Sequence, residues 1–305
     1  MNISPVICGF DGGNGSTKLV IDGVEKRCPA CYYPLHNNIH DVADVPDGAL
    51  VEYLEGSRTD LEGSRWLTGS AAWNASPLSV LRVVDDRHGK LNFGLQLLLG
   101  AIGCLPYQPV WNLLLVASIQ DAEAFGTRLA ATLDGSHKVR FQGSRVSNIS
   151  IRVLQVVEEG LGALVEATAL NVLDVRGRQN ILLDLGHGTT IASVFGSGGR
   201  LIHRSVGSGG VDALLGNIAA HIETRQYLAR QGDTELLRLG LENGSFLYGT
   251  TGWSFASIYQ KELPPWARDN LAIALKSVDA WRESAAAILA VGGGAQLPGI
   301  AALLA

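Results

Sequence analysis

Charge is scarce in this sequence, and what there is leans acidic. Of 305 residues, 24 are lysine or arginine and 29 are aspartate or glutamate, a formal net charge of −5. A chain without a basic stretch or an overall positive field is not built to neutralise a nucleic-acid backbone directly, so any link to DNA calls for an adaptor. Cysteine is rarer still, with four residues, too few for a disulfide framework. Cys28-Pro-Ala-Cys31 has the spacing of a redox motif or half a zinc site, but no second pair follows and no helix starts there. It reads as two ordinary thiols. Long apolar runs are also missing. Leu95–Leu105 is among the longer ones, and a bilayer-spanning helix needs about 20 residues. The opening Met-Asn-Ile-Ser-Pro carries no basic segment ahead of an apolar one, so the expectation is a soluble cytoplasmic protein without a membrane partner. Disorder is excluded by the 47% hydrophobic content.

Glycine, by contrast, is plentiful, and its placement is informative. The run Asp11-Gly-Gly-Asn-Gly-Ser-Thr17 returns as Asp184-Leu-Gly-His-Gly-Thr-Thr190, matching at one offset of 173 residues (184 − 11). Each copy follows an apolar run, Pro5–Phe10 or Asn180–Leu183, and precedes another, Lys18–Asp22 or Ile191–Phe195. The pattern predicts strand, tight turn, strand. Glycines there allow positive φ and leave no side chain, so successive backbone N–H groups can close around a phosphate. Mg²⁺ keeps several waters and takes one or two carboxylates, so Asp11 and Asp184 suit a hydrated metal–nucleotide better than a bare anion. A Walker A loop is excluded, because Gly13-Asn-Gly-Ser-Thr-Lys18 lacks the Gly-Lys-Ser/Thr ending and runs into a strand. A dinucleotide fingerprint fails for want of its third glycine. Either copy alone would read as an ordinary hairpin turn; the repeat favours a two-lobed Mg-nucleotide site.

The chain divides at the polar connection Arg176-Gly-Arg-Gln-Asn180. Residues 1–172 form a first domain, with a turn-rich inserted subdomain over about 32–94, and residues 173–305 a second, with a helical subdomain over about 213–282. Within the first, Arg65–Ala72 reads as a strand entering a helix, Phe93–Cys104 as a buried helix, Val110–Val116 as a core strand and Ala122–Leu133 as a helix. Two strands follow between Val139 and Val157, then Glu158-Glu159-Gly160 and an apolar helix, Leu161–Val172. Both carboxylates fall near that helix's N-terminus, where negative charge is favoured. Ile288–Leu297 is a strand breaking into a glycine loop.

In this order the pieces resemble the actin-like ATPase superfamily, and within it the plasmid-segregation (ParM/StbA-type) branch. The likeness rests on Asp11–Lys18, Asp184–Thr190 and Gly292-Gly-Gly-Ala-Gln-Leu297, with weaker support from Trp66–Ala71, Leu133–His137 and Val156–Ala163. It implies an α/β, actin-like (ribonuclease H-like) duplicated two-domain fold with the nucleotide in the interdomain cleft. ATP or ADP with Mg²⁺ is the implied ligand. Asp11 and Asp184 would hold the metal through water, while Gly12, Gly13, Asn14, Gly15, Ser16 and Thr17, with Gly186, His187, Gly188, Thr189 and Thr190, would wrap the β- and γ-phosphates. Lys18 either adds charge to the β-phosphate or faces the other side of its strand. Gly209, Gly210 and Asp212 match a turn near the ribose, and Gly292, Gly293 and Gly294 the loop at the adenine. Glu159 matches the residue that orients the attacking water, with Glu158 the alternative or a simple helix-terminal carboxylate. His187 reads as a solvated loop histidine, with titration near the γ-phosphate the alternative. Two departures from the family pattern stand out. Ala117-Ser-Ile119 replaces a Gly-Leu-Pro turn, and the terminal helix expected after the adenosine loop would lie beyond Ala305.

The resemblance implies a polymerising ATPase that adds protomers head to tail and reaches plasmid DNA through a DNA-binding adaptor. A small-molecule kinase of the same fold, or a non-polymerising actin-like scaffold, is the alternative. A kinase would need a separate carboxylate base for its acceptor hydroxyl, and none is visible beyond Glu158 and Glu159.

Overall fold

A computed structural model describes residues 4–36, 42, 44–77, 79–86, 88–173 and 178–304. Arg176 and Gly177 of the polar connection lie outside the described residues. Two compact units result, Met1–Glu159 and Gly160–Ala305.

The first unit is built on one ten-stranded sheet. Its strands are β1 (Val6–Gly12), β2 (Ser16–Ile21), β3 (Val24–Pro29), β4 (Cys31–Leu35), β5 (Gly48–Gly56), β6 (Arg65–Thr68), β7 (Leu81–Arg82), β8 (Val110–Ile119), β9 (Gly135–Phe141) and β10 (Arg145–Glu158). Helices α1 (Gly69–Ala75), α2 (Gly89–Gly103) and α3 (Ala122–Leu133) belong with it. The order is β3-β2-β1-β8-β10-β9-β5-β6-β4-β7. The strands of the 32–94 segment therefore continue the sheet beyond β9, with Val51 opposite Phe141 in antiparallel register. Strand β8 alternates strictly, burying Trp111, Leu113, Leu115, Ala117 and Ile119. Helix α2 has no polar face to spare: Leu95, Leu98, Leu99 and Ile102 are each at most 1% exposed and share a core with Tyr53 and Trp66. From Phe93 onward its sequence is therefore almost wholly apolar, while Lys90 and Asn92 keep to the first turn.

His137 sits in this core beside Tyr53. Because Tyr53 O accepts the Arg58 N–H at 3.1 Å, its hydroxyl hydrogen goes to His137 Nδ1, 2.8 Å away. The ring is then the neutral tautomer with its Nε2–H toward Leu133 O. Burial holds the His137 pKa below the usual histidine range. A depressed histidine means the unfolded chain takes up the proton first as pH falls. Stability is therefore expected to decline once pH drops below about 6.5, at up to about 1.4 kcal/mol per pH unit. Urea unfolding between pH 8 and 5 checks this: His137→Gln should be less stable throughout yet lack that component of the slope.

The second unit repeats the plan. Its strands β11 (Gln179–Leu185), β12 (Thr189–Phe195), β13 (Leu201–Ser208) and β14 (Ala285–Val291) form a sheet in the order β13-β12-β11-β14. Hairpin β1–β2 pairs Asp11 with Lys18 and Gly12 with Thr17; hairpin β11–β12 pairs Asp184 with Ile191 and Leu185 with Thr190. Each residue is displaced by the same 173. The third strand keeps that offset, since Asp11 lies beside Ser118 of β8 and Asp184 beside Val291 of β14, both in parallel pairs (291 − 118). The duplication therefore covers three strands of each sheet, one more than the glycine motif marks.

Helix α4 (Leu161–Ala169) packs Leu164 against Leu182 and Phe195 of the second sheet. It follows Gly160, whose φ of +87° and lack of Cβ are both required, since a methyl there would fall on Leu182. The helix thus goes with the second unit, whereas the sequence reading placed everything through residue 172 in the first. Helices α5 (Val211–Ala220), α6 (Ile222–Leu228), α7 (Thr234–Glu242), α8 (Ala256–Ser277), α9 (Asp279–Arg282) and α10 (Ile300–Leu304) complete the unit. Leu214, Leu215, Ile218, Leu237, Phe255 and Trp266 make the core of its helical layer. Among the described residues no helix is long and apolar enough to cross a membrane.

Candidate nucleotide-binding loops

The two turns have the same environment, residue for residue. Asp11 and Asp184 are half-buried, the next residue is buried, the following four are half-buried, and Thr17 and Thr190 are buried. A Cβ on Gly13 would come within 2.8 Å of the Ser16 carbonyl, and one on Gly186 within 2.9 Å of the Thr189 carbonyl. Gly12, Gly13 and Gly186 do not adopt positive φ. Contrary to the sequence reading, Gly13 and Gly186 are needed for space inside a tight hairpin and not for a left-handed backbone, while a Cβ on Gly12 would make only ordinary contact with Phe10 at 3.5 Å. Thr17 and Thr190 are also corrected: both are on the face that β2 and β12 turn to their cores, 1% and 2% exposed. Only their backbones are available to a ligand. Asn14, Gly15 and Ser16, with His187, Gly188 and Thr189, remain half-exposed at the turn tips.

In the first unit Lys18 is directly opposite Asp11, so both side chains share a face. Lys18 Nζ is 3.3 Å from Asp11 Oδ2, and Ser118 Oγ donates to Asp11 Oδ1 at 3.0 Å. The sequence left the direction of Lys18 open; register settles it toward the carboxylate. Ser118 lies in the Ala117-Ser-Ile119 departure and was not singled out. The signal was present, because 118 is the repeat mate of 291, ahead of the glycine loop.

The second loop is braced from below. Gly186 N–H donates to Thr189 O at 2.9 Å, while the first amides of α5 are spent on the loop: Val211 N–H to Gly186 O at 3.0 Å and Asp212 N–H to His187 O at 2.8 Å. A Cβ on Gly210 would fall on those same two carbonyls. Trp266 Nε1 donates to both Gly209 O and Gly210 O at 3.1 Å, and the Asn270 amide fills the space where a Gly209 Cβ would be. His187 Nε2 is 3.6 Å from Asp212 Oδ1. The histidine is thus placed against an acid, not freely solvated, and Asp212 sits at the second turn.

Gly292 and Gly294 are also structural. At Gly292, with φ of +87°, a Cβ would meet Asp184 Oδ1 and come within 2.7 Å of Leu185 O; at Gly294 it would come within 2.7 Å of Leu185 Cβ. Gly293 has nothing within 4 Å. Gly292→Ala is therefore expected to cost about 2–3 kcal/mol in chemical unfolding. Gly293→Ala should be close to neutral there, so any nucleotide affinity lost by that variant reports ligand contact directly.

Glu158 and Glu159 separate cleanly. Glu158 accepts from the amides of Asp121 (3.2 Å) and Ala122 (2.7 Å), closing the start of α3. Its carboxylate is committed to that cap. Glu159 is anchored by its own N–H to Ile119 O at 3.2 Å and pairs with Lys90 in the first turn of α2, the two side chains being 12% and 16% exposed. Lys90 is 69 residues away in sequence and no motif announces it.

Each turn, taken by itself, offers half-buried residues at its tip and a carboxylate at its start, and the first adds a cation beside Asp11, chemistry that fits a phosphate with a hydrated divalent ion. Among the described residues no three His, Cys, Asp or Glu side chains gather into a metal cage. Of the Cys28/Cys31 pair, Cys31 donates to Gly69 O at 3.2 Å.

Comparison with known proteins agrees with this architecture. The family described as actin like proteins, N terminal domain, matches residues 9–162, just over half of the chain. Among solved structures, an archaeal actin homolog is similar at a TM-score of 0.75 and 14% identity over 97% of this chain and 90% of that one; its ADP complex matches at 0.74 and 14% over 97% and 89%. A ParM from a 15-stranded filament of Clostridium botulinum matches at 0.72 and 15%, over 99% and 92%. Comparison with curated proteins gives no match. A family match across the first unit, and a fold with its loop, register and third strand built twice, lead to one conclusion: this chain belongs to the actin-like protein family.

Proposed function

We propose that this protein is a filament-forming ATPase whose two phosphate loops hold one Mg-ATP. The observation that carries the reading is the repetition at one offset of the same turn, the same register and the same pattern of residue burial. Asp11 and Asp184 would hold the metal through water, and Gly12–Lys18 with Gly186–Thr190 the β- and γ-phosphates. Bound there, the ion would neutralise the charge that develops as the terminal phosphate leaves. Glu159 would orient the attacking water and take its proton, a role for which Glu158 is already occupied by its cap. The ADP complex of an archaeal actin homolog supports the ligand class, and the ParM filament supports self-association.

Protomers would add head to tail, a heterologous contact that extends without closing. Plasmid DNA would be the cargo, reached through a DNA-binding adaptor because the chain itself is acidic. Pelleting and 90° light scattering with Mg-ATP, beside ADP and EDTA controls, test the proposal. Nucleotide-dependent assembly is expected. Phosphate release without assembly at any protein concentration would overturn the filament reading, and release that needs an added acceptor hydroxyl would favour a kinase.

A further inference from the structure

The four thiols do not sort by sequence spacing. Cys31 is turned to Gly69 O and Cys8 to Leu114 O. The partner of Cys28 is Cys104, 76 residues on, with 3.8 Å between the sulfurs. Cys28 is buried on β3, opposite Thr17 of the first loop's hairpin. Cys104 is half-buried just past the last residue of α2. The S–H of Cys28 is directed at the Cys104 sulfur. That hydrogen bond is the chief reason the Cys104 thiol lies below its usual range; burial opposes the shift and Lys26 assists it. The same bond, with burial, drives Cys28 far upward. The two thiols are therefore unequal: Cys104 is half-buried and the more readily ionised, while Cys28 is enclosed and holds its proton.

We propose that Cys28 and Cys104 form a two-electron redox site that closes to a disulfide on exposure to a peroxide. The Cys104 thiolate attacks one peroxide oxygen, the O–O bond breaks, and the departing hydroxide takes a proton to become water. Cys104 is then a sulfenic acid. The Cys28 sulfur attacks it, the S–S bond forms as the S–O bond breaks, and the hydroxide released takes the Cys28 proton. Two thiols are oxidised and one peroxide is reduced to two waters. A disulfide needs about 2.05 Å between sulfurs, so closure from 3.8 Å draws β3 toward α2. Strand β3 is tied to the first loop, since it pairs with β2 through Thr17 and Cys28, and Ala30 N–H just beyond it holds Gly15 O at 3.1 Å. Oxidation is thus a means of displacing the first phosphate loop. This consequence rests on the nucleotide reading; the bond itself does not.

The test uses the full chain treated with graded hydrogen peroxide, then alkylated, digested and mapped by mass spectrometry. A Cys28–Cys104 crosslink is expected, with Cys8 and Cys31 remaining alkylated. Cys28→Ser should leave Cys104 as a dimedone-reactive sulfenic acid, and Cys104→Ser should leave Cys28 reduced. A Cys28–Cys31 crosslink, or oxidation of Cys104 to the sulfinic acid without any crosslink while circular dichroism reports a folded chain, would overturn the site. For the linked consequence, reduced protein should bind Mg-ATP and oxidised protein should bind it roughly fivefold or more weakly. Dithiothreitol should restore affinity, and the double serine variant should not respond. Equal affinity in crosslinked protein would overturn the regulatory step. Failure of the reduced protein to bind would count against the nucleotide reading instead and leave the crosslink result standing.

Discussion

Glu159→Gln is expected to slow ATP hydrolysis by about 100-fold or more while leaving nucleotide affinity within a few fold. The amide keeps the shape of the carboxylate and still accepts from Lys90, but it cannot take a proton from water. Glutamine is the better choice over alanine here. Glu159 and Lys90 are a largely buried ion pair, and removing one partner outright strands the other charge, at a cost of several kcal/mol. A thermal melt beside the turnover assay separates the two effects. If the account holds, filaments formed by Glu159→Gln with Mg-ATP should outlast those of the parent, because assembly needs the nucleotide and disassembly needs its hydrolysis. Glu158→Gln supplies the contrast. Losing a charged acceptor at the start of α3 should cost about 1 kcal/mol of stability and leave turnover within a few fold.

The second large effect concerns the paired aspartates. Asp11→Asn and Asp184→Asn are each expected to remove Mg²⁺-dependent turnover, by about 100-fold or more. Asp11→Asn should also have an effect when metal is absent. Asp11 is held by Lys18 and Ser118. Asp11→Asn therefore leaves Lys18 without its carboxylate partner, and residual binding of metal-free nucleotide should rise in that variant relative to the parent. Titration with ATP in EDTA reads the difference.

Much of this was legible in the sequence because it lay in short, periodic stretches. The paired turns, the helix Ala122–Leu133 and the strand ahead of Gly292 all stand where local pattern places them. Glycine roles differ from the sequence expectation where close packing of atoms decides them. Gly13 and Gly186 are fixed by a carbonyl inside their own hairpins, and Gly292 and Gly294 pack closely on β11. Thr17 and Thr190 belong to the turn in sequence, but strand alternation sends their side chains to the core. The placement of α4 depends on Leu164 meeting Leu182 and Phe195, contacts with no local signature. Lys90 and Cys104 were invisible for the same reason: each finds its partner across some seventy residues of chain, through the packing of α2 against the sheet.

The central claim is that two copies of one loop serve a single nucleotide. Calorimetric titration of the chain with Mg-ATP tests it most directly. The account expects one nucleotide bound per chain, with that binding lost in Asp11→Asn and lost equally in Asp184→Asn. Two nucleotides per chain, with each substitution removing one and sparing the other, would contradict it.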